Sequence, residues 1–406
     1  MLFFSLLYIF AQYTVVVSAI NATSLSWYDP QFPALNATPR EEVFARRTYF
    51  YVGGRYSNGT GGSVITDQMY VEKLEPQVVL HKYPIVFITG GFQTATVRTN
   101  LSTCKAAADF HIQNWLNTPD DRTGWASYFL SQGYIVYLAD HVKRGRSPWI
   151  VADSALLNTT ATGLTFVQDY FIAGERTKLW PQAVLHTQWP GTAEVGDPTF
   201  DQFYASQIQT APNDGPFSQT VVDAYSALLD KIGASVLVSH SQGGPYGWGI
   251  GDARPDLVKA IIALEPEGPP FENQVQRTGP ARSYGITTAP ITYSPAVNLT
   301  ADANAFTKVR VNSTDPNLAN CLLQAEPAKQ LPNLKKFPIL MYTTEASYHA
   351  FYDHCTYSYL VQAGVNLEWL QLKDIGILGN AHFSFMEKNN MEIVPLLDMW
   401  IQATVK

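Results

Sequence analysis

Charge is scarce in this chain of 406 residues, with Asp, Glu, Lys and Arg together making up 15%. With 46% hydrophobic and 13% aromatic residues, the composition points to a large apolar core under few solvating charges. Basic clusters are also missing. The net charge of −7 leaves nucleic-acid binding without the cationic stripe it needs. Cysteines number three, Cys104, Cys321 and Cys355, so at most one intramolecular disulfide can form. An oxidising compartment favours pairing Cys321 with Cys355 and leaves Cys104 over. There is no internal repeat. After the N-terminus, no apolar run approaches the length of a membrane-spanning helix.

The N-terminus itself is apolar. Met1 to Ala19 carries no charged side chain, is broken by Gln12 and ends in the small residues Val17-Ser18-Ala19. It reads as a signal peptide, residues 1–19, with no membrane span remaining after cleavage. Seven Asn-x-Ser/Thr sequons, at Asn21, Asn36, Asn58, Asn100, Asn158, Asn298 and Asn312, fit a secreted glycoprotein.

Residues 20–45 are polar and proline-containing and read as an arm. Thr48–Val52 and Met69–Val71 suggest early antiparallel strands. The apolar runs Pro84–Ile88, Tyr134–Leu138, Ala234–Val238, Val258–Leu264, Phe337–Tyr342 and Val365–Leu372 read as buried strands. Helical patterns at about 124–130, 217–232 and 385–404 complete an alternation of strands and helices. The expected fold is α/β: a mostly parallel central sheet with helices on both faces, spanning residues 46–406. Residues 150–215 and 271–335 break the alternation. They read as insertions capping a site, the first of them aromatic-rich. The turn Arg144-Gly145-Arg146-Ser147 reads as structural.

The strand Ala234–Val238 breaks into Ser239-His240-Ser241-Gln242-Gly243-Gly244. A serine on a tight strand-to-helix turn is a nucleophile elbow, which needs small residues two positions either side. Ser239 and Gly243 occupy those positions. The Gln242 amide would face a developing oxyanion at the helix N-terminus, and Gly91 or Phe92, just past the strand at 84–88, would supply the second donor. Serine needs a base, and the base needs an acid to fix its tautomer. His382, in Gly379-Asn380-Ala381-His382 beyond the last strand, is the expected base. His349 and His354 fall in a helical pattern and are expected at surface or half-buried positions. Glu265, Glu345 and Glu267 are the candidate acids, with Glu345 after the strand that more commonly carries this role.

Taken together, Ser-His-Ser-Gln-Gly-Gly-Pro (239–245), Leu-Glu-Pro-Glu-Gly-Pro-Pro-Phe (264–271) and Gly-Asn-Ala-His resemble secreted fungal α/β-hydrolase-fold proteins related to bacterial carboxylesterases. Asn114-Trp115-Leu116-Asn117-Thr118-Pro119-Asp120 and Leu185-His186-Thr187-Gln188-Trp189-Pro190-Gly191 extend the resemblance to roughly residues 45–400. In that group the acid is a glutamate after the sixth strand, 24 residues beyond the serine, which maps onto Glu265. The resemblance implies a serine hydrolase acting on a small-molecule carboxylic ester, without metal or cofactor. The aromatic-rich cap suggests an ester with a bulky apolar group. Two rivals share the fold: a biosynthetic enzyme working by lactone hydrolysis, acyl transfer or cyclisation, and a binding protein without catalysis. The sequence does not specify an oligomeric state.

Thr89-Gly90-Gly91-Phe92 departs from the His-Gly-Gly-Gly run common in such loops, and Val97–Gln113 is an insertion of 17 residues beside it. Valine codons begin with GT and glutamine can be CAG, the two ends of a spliceosomal intron. Removing the segment restores the expected loop and deletes Cys104 and the Asn100 sequon. Val97–Gln113 therefore reads as a retained intron.

Overall fold

The computed structural model describes residues 44–59, 62–95, 97–98, 111–112, 115–149 and 160–406. The signal peptide, the polar arm, Cys104 and the sequons at Asn21, Asn36, Asn100 and Asn158 lie outside the described residues. Asn58, Asn298 and Asn312 are exposed.

Eight strands form the central sheet: β1 (Phe44–Gly59), β2 (Gly62–Pro76), β3 (Ile85–Ile88), β4 (Val136–Asp140), β5 (Ser235–His240), β6 (Val258–Leu264), β7 (Ile339–Thr343) and β8 (Leu367–Gln371). Their spatial order is β1-β2-β4-β3-β5-β6-β7-β8. Strands β1 and β2 form an antiparallel hairpin, and β2 meets β4 antiparallel; every later pairing is parallel. A parallel sheet needs both faces covered, so its central strands are buried along their length and mostly apolar. In β5, Val236 and Val238 join one buried cluster while Leu237 joins the cluster on the opposite face.

The main helices are α1 (Trp125–Ser131), α2 (Pro198–Ala205), α3 (Gly215–Ile232), α4 (Gly243–Ala253), α5 (His349–Gln362) and α6 (Asn390–Thr404). Helix α3 starts sharply because Asp214 accepts a hydrogen bond from the Phe217 amide at 2.8 Å, with a proline in the first turn. It stops at Gly233, whose φ is +86°. The closing helix α6 begins at Asn390, not at 385, because residues 383–389 turn to carry the His382 loop back over the sheet.

Between β4 and α3 the chain runs through short helical segments, Leu164–Val167, Gln168–Ile172 and Gly174–Thr177 among them, before α2. Between β6 and β7 lie two small antiparallel ladders, Glu272–Asn273 with Gly279–Pro280 and Lys308–Val311 with Cys321–Gln324. A disulfide joins Cys321 to Cys355 of α5, with an S–S distance of 2.04 Å. Later in the chain than β3, Val97–Arg98 pairs with His111–Ile112 antiparallel, so both ends of the 97–113 insertion meet at its base.

His349 and His354 are not surface groups. Helix α5 is flanked by β7, β8 and the 308–324 ladder, and both imidazoles are buried at 0% and 7% exposure. Polar and apolar side chains of this helix are buried together, a placement that sequence periodicity does not signal.

Candidate active site

Ser241 follows β5 with φ at +53°, a left-handed conformation costly for a side-chain-bearing residue. The elbow is sterically tight. A Cβ at Gly243 would come within 2.5 Å of the Ile88 carbonyl oxygen, and one at Gly244 within 2.4 Å of Pro266. Ser239 stands where glycine is usual, and its space comes from across the turn: Gly247 of α4 approaches so closely that a Cβ there would lie 3.1 Å from the Ser239 Oγ.

Glu265 directly follows β6 with φ at +43° and is 1% exposed. Four hydrogen bonds fix its carboxylate. Oε1 accepts from the Thr344 amide at 2.9 Å and hydroxyl at 2.6 Å; Oε2 accepts from the Ser347 hydroxyl and His382 Nδ1, each at 2.7 Å. Glu345 lies elsewhere in the network, its Oε2 accepting from the Gly379 amide at 2.8 Å where the His382 loop begins. Glu267 is held by Arg282 at 3.1 Å and by the Asn213 amide at 3.3 Å.

With its Nδ1 on Glu265, the buried His382 ring turns Nε2 toward the Tyr348 hydroxyl at 3.2 Å. Ser241 lies beside that hydroxyl, and both residues line the same cavity. Tyr348 therefore stands where serine and histidine meet, although its sequence context gives no sign of it. Rings sheathe His382: Phe171 stacks at 5.3 Å, and His349 lies parallel at 5.0 Å. Burial pulls His349 down, but Asp353, 2.8 Å from its Nδ1, outweighs this and lifts the ring above the ordinary imidazole value. Burial first, then His349, holds His382 well below that value, keeping the imidazole neutral and ready to accept a proton.

The loop carrying His382 is tied down by groups distant in sequence. His240 reaches the His382 carbonyl at 3.0 Å through Nε2. Glu387 accepts from Asn380 Nδ2 at 2.7 Å and from the Ala381 amide at 3.0 Å, and it pairs with His186 at 2.7 Å. Burial works against protonation of His186, but Glu387 and Glu175 raise it to about 9.

Gly90 and Gly91 follow β3 beside the elbow, and a Cβ at Gly90 would lie 3.1 Å from that of Ser241. Phe92, at the last position of the departed His-Gly-Gly-Gly pattern, adopts φ of +60°. The reach of Arg144 was not apparent from its turn. Its buried guanidinium donates to the Gly90 carbonyl and to Gln242 Oε1, both at 2.8 Å, joining the glycine loop to the elbow. Gly91, Phe92 and Gln242 line a cavity of about 520 Å³ that also reaches Ser241 and His382. The lining combines the aromatic Phe166, Phe171 and Phe383 with the polar Asn273, Gln274, Gln276 and Arg277.

The chain is 45% identical over 370 residues to the probable secreted lipase phiG of Fungal sp. (strain ATCC 74256), covering 91% of this chain and 93% of that protein. It belongs to the secreted fungal α/β-hydrolases. The hydrolase also resembles a solved bacterial esterase at 21% identity and a TM-score of 0.57, covering 90% of this chain and 97% of that one, a likeness of fold. No protein-family profile matches. This is a secreted carboxylic ester hydrolase acting on a small-molecule substrate. Among the described residues, no helix is long and apolar enough to cross a membrane.

Proposed function

We propose that the hydrolase cleaves its esters through a triad of Ser241, His382 and Glu265. The observation that carries the reading is His382 bonded by Nδ1 to Glu265 at 2.7 Å while His382 and Ser241 border one cavity. Ser241 Oγ attacks the acyl carbon as Nε2 takes its proton. The Gln242 amide, with that of Gly91 or Phe92, stabilises the oxyanion. The proton passes to the alcohol oxygen as the ester bond breaks. Water then gives a proton to Nε2 and attacks the acyl-enzyme, releasing the acid and restoring the serine.

The segments at about 150–215 and 271–335 act as a cap. Phe166 and Phe171 of the first receive a bulky apolar part of the ester, held against Phe383. Ser241→Ala tests the core of the proposal. Ester turnover is expected to fall by several orders of magnitude with the melting temperature kept, and labelling by a fluorophosphonate is expected to vanish. Retention of more than about a tenth of the activity identifies another nucleophile. An unlabelled wild type favours a binding protein instead.

A further inference from the structure

Gln274, in the polar part of the lining, spends its donor on Glu272 and the Asn320 carbonyl, but Gln276 and Arg277 do not. Arg277 borders the cavity, and among the described residues its guanidinium meets no carboxylate. The acids around it are already engaged: Glu267 by Arg282 and Asn213, and Glu272 by both terminal nitrogens of Arg310 at 2.7 and 2.8 Å. Next to Arg277, the Gln276 Nε2 is buried with no hydrogen-bond partner among the described residues. The Arg277 guanidinium is exposed and can only donate, whereas the Gln276 Nε2 is a buried donor without an acceptor, which is costly. Two adjacent donors, one a planar charged fork, match a carboxylate.

We infer that the cavity takes esters carrying a second, free carboxylate, which Arg277 and Gln276 bind while Ser241 attacks the ester carbonyl. The inference rests on the proposed role of Ser241. It also goes against the simplest picture of a lipase, whose substrate has no charge at its far end. Chemically it describes half-esters of dicarboxylic acids, or esters of an acid-bearing alcohol. The apolar span between the two groups lies along the aromatic part of the lining.

The test uses monomethyl esters of straight-chain dicarboxylic acids from succinate to sebacate, each beside its neutral dimethyl ester, with acid release followed in a pH-stat. For at least one chain length the monoester is expected to have a kcat/KM about ten- to a hundredfold above its diester, as charge-assisted hydrogen bonds allow. Arg277→Gln should bring that ratio to about one through KM, Arg277→Lys should restore part of it, and Arg277→Glu should favour the diester. Diesters preferred at every length in the wild type, or a ratio unmoved by Arg277→Gln, overturns the inference. Loss of labelling at Ser241 overturns the parent reading instead. A second readout is independent of turnover: calorimetric binding of the free dicarboxylates to Ser241→Ala. It is expected to weaken in Ser241→Ala/Arg277→Gln, and equal binding in the two proteins counts against the inference.

Discussion

A carboxylate that orients a histidine must touch it, and among the candidate acids Glu265 does so at 2.7 Å, while Glu345 binds the Gly379 amide instead. Glu265→Gln keeps the shape but offers an amide where Nδ1–H needs an acceptor, so kcat is expected to fall by about two to four orders of magnitude. Glu345→Gln keeps an acceptor for Gly379 and is expected to cost less than about threefold. Steady-state kinetics on one neutral ester ranks the two, and the reverse order refutes the assignment of the acid. The residues alone left both glutamates open, since each follows a strand; the resemblance to hydrolases whose acid stands 24 residues beyond the serine pointed to Glu265. Tyr348 and Asp353 were not legible. Neither belongs to a motif, and both reach the site because α5 is buried.

Local patterns carried most of the strands, since uninterrupted apolar runs between turns have few other readings. The attachments of the His382 loop are a different matter. His186 and Glu387 lie 201 residues apart, and no local period links a cap residue to the turn before α6. Their coupling has a consequence for stability. His186 is raised from 6.5 to about 9 in the folded protein, so its contribution is fully present below pH 6.5 and is lost as pH rises through 9. The change is on the order of a few kcal/mol. Urea midpoints measured from pH 6 to 9.5 are expected to decline across that window. In His186→Gln the decline should flatten, with a lower midpoint at pH 6. A wild-type midpoint that rises across the same range contradicts this account.

For the molecule as a whole, the sheet order and the cap depend on segments that the alternation of strands and helices already separates. The insertion at 97–113 belongs to neither. Its reading as a retained intron predicts that most mature transcripts lack these codons; sequencing that finds them in frame throughout disproves it. At the protein level, joining Thr96 to Asn114 should leave fluorophosphonate labelling and thermal midpoint within experimental error of the full chain. The ladder at the base of the insertion makes the reason geometric. Val97 pairs with Ile112, and partners across an antiparallel ladder lie about 4.5–5.5 Å apart, close to the ~3.8 Å step between consecutive residues. The described ends of the excursion lie at nearly the same point, so its removal is expected to leave the strands around it in place. On the intron reading, a splicing error there is expected to be silent to the fold: two messages differing by a whole exon-like cassette would encode the same scaffold.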